Sequence, residues 1–364
     1  MQDGKKWWRS PWFLAVAALI LLGAGFAAGY LAHRTPPAET KPSATTQPAT
    51  QTGTEPEPTS LQEVTAVMAF IPLSYWNPVY VAMEKGYFAE ENLHINLQYA
   101  PEGSFGAIKQ VGAGQASFAL ASGDAILKAR DQGIPVVAVY QMSHANTYSL
   151  ITSPTIQSLS AMRGKTIAIA GFGSPTELVA RGILDHAGVS QADVQFVAVG
   201  TAIVQTLLAG KADAIGGAIE HELLAKAGNP DVKIYRGADY GANFVGLCVL
   251  TNEELATSDP DGLVERFLRA FQKGLQFATD SSHLDEATDI FIDHFNPDAA
   301  SQRQLHRTIW REVVSADILP RSYSLGGFNW SQWDFTAAEL LRLGILQKAA
   351  DLYAAANPWY LKKL

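Results

Sequence analysis

Gly114-Gln-Ala-Ser-Phe-Ala-Leu-Ala-Ser-Gly-Asp124 and Gly210-Lys-Ala-Asp-Ala-Ile-Gly-Gly-Ala-Ile-Glu220 repeat one local design within a single chain. Each starts on a glycine able to end a helix in the left-handed conformation. Each then runs through a polar residue, an alanine and an acceptor residue into a short stretch of small side chains, and meets an acid ten places after the glycine. Small side chains let a strand pack closely between helices. Its carboxyl end then delivers Ser122 to Asp124 in the first copy, and Ala218 to His221 in the second, to the edge where open α/β sheets hold their ligands. Two such edges facing each other make a cleft lined from both sides. The bland alternative is that generic strand-helix chemistry has occurred twice.

The surroundings of both copies fit the first reading. Strands are expected at Val64–Phe70, His94–Tyr99, Phe118–Ala121, Val136–Tyr140, Tyr148–Thr152, Thr166–Ala170, Val194–Val199, Ala214–Gly216, Val232–Tyr235 and Phe244–Leu250. Helices fall between them near Val79–Lys85, Phe105–Ala113, Ala125–Asp131, Pro175–His186, Ile203–Ala209 and His221–Ala227. This alternation predicts an α/β fold of mainly parallel sheets covered by helices on both faces. After Asp259 the pattern turns helical, at Gly262–Thr279, Leu284–His294, Ala299–Ser315 and Trp330–Leu343. The aromatic cluster Phe328, Trp330, Trp333 and Phe335 reads as packing against the first lobe rather than as a ligand box.

The chain has 364 residues, 48% of them apolar, and a net charge of -8. That is enough for two lobes. Lys5, Lys6, Arg9 and Arg34 against Asp3 make residues 1–34 positive, whereas the body from Leu61 onward is acidic. An acidic body without a basic stripe argues against nucleic acid. The single cysteine, Cys248, rules out an internal disulfide and a cysteine zinc site, and its apolar setting reads as a buried strand. Trp12 to Ala32 is an uncharged run of 21 residues, which at about 1.5 Å per residue spans a bilayer. The preceding basic residues keep the N-terminus cytosolic and send the remainder outside. The expectation is a single-pass anchor; a cleaved signal peptide with a site such as Gly25-Phe26-Ala27 is the alternative. A lipoprotein is excluded, since no cysteine lies nearby. Thr35 to Ser60, with six Pro and eight Thr, reads as an unfolded linker.

Ile71-Pro-Leu-Ser-Tyr-Trp-Asn-Pro-Val-Tyr-Val-Ala-Met-Glu-Lys-Gly-Tyr-Phe-Ala-Glu-Glu-Asn-Leu93, followed by a strand, resembles the opening signature of a known family. These are the solute-binding proteins of ABC importers for thiamine-pyrimidine precursors, sulfonates, nitrate and taurine. Gly114 to Asp124, Ala129-Arg-Asp-Gln-Gly-Ile-Pro-Val-Val-Ala-Val139 and Arg163-Gly-Lys-Thr-Ile-Ala168 are similar to its later signatures. The resemblance covers roughly residues 63–350. It implies the type II periplasmic binding protein fold, with crossovers near 143–148 and 236–243. The first lobe would combine residues 63–143 with 244–364, and the second would be 148–236. It also implies a ligand held between the lobes, delivery of that ligand to a permease with a separate ATPase, a monomer, no cofactor and no chemistry.

Four places bring polar or aromatic groups to strand ends. In Tyr75-Trp76-Asn77, the indole can stack on a planar guest and the amide can both donate and accept; a hydrophobic staple for the next helix would look the same. Ser122 and Asp124 face the sheet edge, or else cap the helix that follows. Gly173, Ser174 and Thr176 open a helix with free N–H groups, an acceptor-binding nest or an ordinary helix start. Glu220 and His221 sit at the second echoed edge with Tyr240 on the return crossover, and a structural histidine is the competing reading. No Lys or Arg falls among these places, while Asp124, Glu177 and Glu220 do. Two unit charges about 5 Å apart interact by about 3 kcal/mol at an effective dielectric near 20, so these acids would oppose an anion. The expected ligand is a neutral or weakly basic planar heterocycle, a thiamine-type aminopyrimidine or a flavin; a sulfonate, taurine or nitrate is the alternative.

Other readings fail or rank lower. Gly164-Lys165-Thr166 is no P-loop, because Leu159 stands where glycine is needed. Gly171 and Gly173 lack the third glycine of a dinucleotide site, with Thr176 in its place. His144, His186 and His221 are too scattered for a metal. The family is related to a fungal pyrimidine-synthesising enzyme, but this chain lacks that enzyme's cysteine-rich motif. A sensor presenting its ligand to a signalling partner is the remaining rival.

Overall fold

The computed structural model describes residues 61–144, 148–318 and 324–364. The expected membrane segment Trp12–Ala32 and linker Thr35–Ser60 lie outside the described residues. None of the described helices is long and apolar enough to cross a membrane.

Ten strands form two five-stranded sheets. The first has the order β2-β1-β3-β10-β4, from β1 (Gln62–Ala69), β2 (Leu93–Ala100), β3 (Phe118–Ser122), β4 (Val136–Gln141) and β10 (Leu247–Asn252). The second has the order β7-β6-β8-β5-β9, from β5 (Ser149–Thr152), β6 (Thr166–Ile169), β7 (Gln195–Ala198), β8 (Ala214–Gly217) and β9 (Lys233–Arg236). Each expected strand overlaps one of these. The boundaries move most at the last, where Phe244 to Gly246 precede the strand instead of opening it.

The sheets are mainly parallel in strand direction, but each is mixed, with one strand reversed. β1 pairs in parallel with β2 and β3, and β6 with β7 and β8. β10 is antiparallel to β3 and β4, and β5 to β8 and β9. The cause is the two crossings of the chain. After β4 it passes to the second sheet and starts β5 there; after β9 it returns and starts β10. The parallel strands end at the side facing the other sheet, so a strand arriving from that side must run away from it. One reversed strand per sheet is the consequence.

Counting helices of at least six residues, those that place the site are α1 (Asn77–Glu84), α2 (Ser104–Gly112), α3 (Gly123–Asp131), α4 (Pro175–His186), α5 (Ile203–Leu208) and α6 (Ile219–Gly228). The helical region after residue 259 supplies α7 (Leu263–Thr279), α8 (Leu284–Ile290), α9 (Arg303–Val313) and α10 (Trp330–Arg342). Gly114 and Gly210, the starts of the repeated segments, both have left-handed φ, 71° and 67°. Trp333 is fully buried in the first lobe's core, and its Nε1 donates to Gln141 Oε1 at 3.1 Å. Phe328 packs beside it. Cys248 is fully buried in β10, where burial pushes its thiol well up.

Candidate functional site

The carboxyl ends of β1, β7 and β8 and the starts of α2, α4, α5 and α6 converge on one cleft between the sheets. The cleft, a slot between the two sheets, holds about 810 Å³ of empty space counted out into open solvent. The first sheet contributes Phe70, Tyr75, Trp76 and Leu247, and the second contributes Thr176, Ile203, Glu220 and His221.

Phe70 explains how β1 hands over to the site. It has φ of 68°, rare for an aromatic residue, and its N–H donates to Ala100 O at 2.7 Å. That backbone turns the chain out of the sheet and into the segment carrying Tyr75 and Trp76. Trp76 is 2% exposed, and its Nε1 donates to Ile71 O at 3.1 Å. With its N–H engaged, the ring offers a stacking surface and no hydrogen bond.

Opposite lie Glu220 and His221 in the first turn of α6. Glu220 is 3% exposed, and burial pushes its carboxyl up to about 7. Its Oε2 has no hydrogen-bond partner among the described residues. The N–H of Ala218 donates to His221 Nδ1 at 3.0 Å, so the neutral ring carries its proton on Nε2. Burial agrees, pushing this imidazole down to about 4. The slot therefore presents a carboxyl able to accept or donate near neutral pH, an imidazole N–H and aromatic walls. Among the described residues, no Lys or Arg lines it.

The other expected residues divide. Thr176 lines the cleft while its Oγ1 accepts from the N–H of Ala170 at 2.9 Å, tying the start of α4 to the end of β6. Ser174 lies outside the lining, its Oγ 2.7 Å from Thr176 Oγ1. Gly173 points away: its N–H is taken by the Glu177 carboxylate, and it borders a separate crevice with Lys128, Phe172 and Arg181. Asn77 is fully buried in α1 beneath the cleft lining, with neither amide atom hydrogen-bonded. Ser122 and Asp124 are buried in the first lobe and do not line the slot, although the Ser122 N–H donates to the Oγ of Ser104, a lining residue, at 3.3 Å. Burial raises Asp124 to about 7, opposed by a hydrogen bond from Ser122. Tyr240 packs edge-on to His186 and Tyr235 in the second lobe, outside the slot. Asn77, Ser122, Asp124, Gly173, Ser174 and Tyr240 thus lie outside the lining of this cleft. Sequence reasoning missed Phe70, Ser104, Tyr148, Thr201 and Ile203. Thr201 and Ile203 follow β7 as Glu220 follows β8, so the strand-to-helix signal was present there too.

Residues 74–283 match the family described as NMT1/THI5 like. The chain belongs to this family. The riboflavin-binding protein RibY of Chloroflexus aurantiacus is 29% identical over 88% of this chain and 91% of its own length. A formylaminopyrimidine-binding protein of Halalkalibacterium halodurans is 26% identical over 66% and 73%. The 4-amino-5-hydroxymethyl-2-methylpyrimidine phosphate synthase THI13 of Saccharomyces cerevisiae is 27% identical over 60% and 67%. Among solved structures, the Candida albicans CA3427 gene product, reported to have the generic periplasmic binding protein fold, superposes with a TM-score of 0.63. It is 15% identical, over 82% of this chain and 96% of its own. The two-lobed α/β architecture of this NMT1/THI5-like chain is that fold.

Proposed function

We propose that this chain is the extracytoplasmic substrate-binding component of an ABC importer and that it closes on a small planar heterocycle, a flavin or a thiamine-type aminopyrimidine. The observation that carries the reading is an aromatic slot whose one acid is buried, raised to about 7 and left with an unpaired oxygen. A lactam, imide or aminopyrimidine edge places a donor and an acceptor side by side, and a carboxyl matches both. The His221 N–H adds a third polar point, and Trp76 and Tyr75 supply the stacking face. An anion finds no cation among the described lining residues, and the Glu220 carboxyl would oppose it. The relatives that bind riboflavin and formylaminopyrimidine support the same ligand class.

Thr176, Glu220, His221, Tyr75 and Trp76 are the ligand contacts in this reading, and Asn77 supports Trp76 from below. The uncharged run Trp12–Ala32 would tether the domain on the outer side of the membrane, with Thr35–Ser60 as the leash. Protease added to intact cells should then remove the domain and leave the N-terminal fragment behind.

Titration calorimetry with riboflavin and with 4-amino-5-hydroxymethyl-2-methylpyrimidine is expected to give tight binding of one of them. Tight binding of taurine, with no heat from either heterocycle, overturns the reading. Its rival is an enzyme, favoured by the yeast synthase relative. Recovery of the bound heterocycle unchanged after prolonged incubation separates carriage from chemistry.

A further inference from the structure

Behind Glu220, on the side away from the cleft, stands His306 of α9. The two belong to different parts of the molecule: Glu220 follows β8 of the second sheet, whereas α9 belongs to the helical region after residue 259 and packs against the Ser74–Trp76 turn that follows β1. His306 Nδ1 lies 4.0 Å from Glu220 Oε1, and both side chains are buried. Among the described residues, neither His306 Nδ1 nor Glu220 Oε2 has a hydrogen-bond partner. A separation of 4.0 Å is about 1 Å too long for a hydrogen bond. The oxygen facing His306 Nδ1 is Oε1, so the unsatisfied buried nitrogen has an acceptor just beyond reach, while the unsatisfied carboxyl oxygen is the other one, Oε2. Such a near miss is expected where the gap closes in another state.

The rest of the surroundings gives neither group a substitute. α9 is held in place by Arg303 and Arg307 on Asp289, at 2.9 and 2.5 Å, and by Arg311 on Asp285 at 2.5 Å, so its cations are spent on α8. Phe291 packs edge-on against the His306 ring, 5.6 Å between centroids. Tyr80 of α1 feels the charge of Glu220, and its hydroxyl accepts from Tyr99 at 3.1 Å, but no hydrogen bond joins it to the Glu220 carboxyl among the described residues. His221, next along α6, is turned to the Ala218 N–H.

We propose that His306 is a positioning residue for ligand recognition: as the lobes shut, its Nδ1–H closes onto Glu220 Oε1, fixing the carboxyl and leaving Oε2 for the guest. The inference rests on the reading of Glu220 as the ligand's polar anchor. His306 itself touches no ligand; it sets the direction and hydrogen-bonding state of the group that does.

The test separates positioning from packing by using two variants of the full chain. Asparagine puts an amide N–H close to the place of Nδ1, whereas leucine fills the space and donates nothing. Riboflavin and 4-amino-5-hydroxymethyl-2-methylpyrimidine are both titrated, and whichever wild type binds serves as the probe. His306→Leu is expected to weaken it roughly tenfold or more, and His306→Asn to stay within about threefold of wild type. A leucine variant binding as well as or better than the asparagine variant makes the role one of packing and overturns the proposal. A second arm follows the His306 ring nitrogens by long-range proton-nitrogen NMR in wild type, free and saturated with the heterocycle it binds. A ligand-induced change in the Nδ1 shift or tautomer balance supports the closing contact, and an Nδ1 signal that saturating ligand leaves unchanged overturns it. If wild type binds neither heterocycle, the ligand reading fails and the positioning role with it, whereas binding without an Nδ1 response overturns the positioning role alone.

Discussion

Asp124 and Glu220 occupy equivalent places in the two repeated segments, and burial raises both carboxyls to about 7, yet only Glu220 lines the cleft. Their pH behaviour should therefore be shared and their effect on binding should not. A folded-state carboxyl raised above its unfolded value near 4.5 binds the extra proton in the native state, so stability falls as pH climbs from about 4.5 through about 7. His221, lowered to about 4 from 6.5, works the other way: its share rises as pH climbs from about 4 to about 6.5 and is then complete. Above pH 7 the carboxylates of Asp124 and Glu220 still carry a penalty, and so does that of Glu222, which burial also raises. Asp124→Asn and Glu220→Gln should each stabilise the protein at pH 8 by on the order of 1–3 kcal/mol and have little effect at pH 5, read from denaturant midpoints. Glu220→Gln should in addition weaken riboflavin or aminopyrimidine binding by roughly tenfold or more, whereas Asp124→Asn should leave it unchanged. Equal losses from the two would return Asp124 to the site.

At the scale of elements, the placement of Thr176 depends on how closely β8 and α4 approach. A Cβ built at Gly216 would lie 1.8 Å from the Thr176 carbonyl oxygen. Gly216→Ala must push the start of α4 away from β8, moving Thr176 and breaking its hydrogen bond with the Ala170 N–H. The expected cost is on the order of 2–4 kcal/mol, with weakened ligand binding; an unchanged melting temperature would count against this packing account. The strand-helix pattern itself was readable, because small apolar runs and left-handed glycines have only a few local solutions. The strand directions were not. β5 and β10 look in sequence like their parallel neighbours, and only the route of the chain between the sheets reverses them.

For the whole molecule, the proposed closure would turn the lobes about the two links between the sheets, from β4 to β5 and from β9 to β10. Ligand should reduce the radius of gyration in small-angle scattering and slow amide exchange along Ala218–His221 and the Ser74–Trp76 turn, the two walls of the slot. A scattering curve unaffected by saturating ligand would mean that the slot is already fully shut.

Local chemistry alone determined that this chain makes two α/β units, that their strand ends carry the site, and that Glu220, His221, Tyr75, Trp76 and Thr176 belong among its candidates. Residue types and periodicity constrain backbone conformation within a few positions, and those conclusions need nothing more. Which of two equivalent acids meets the cleft, how Phe70 steers the chain into it, and the approach of His306 to Glu220 depend on residues far apart in sequence. Only packing brings them within a few ångströms, and burial then sets their charge.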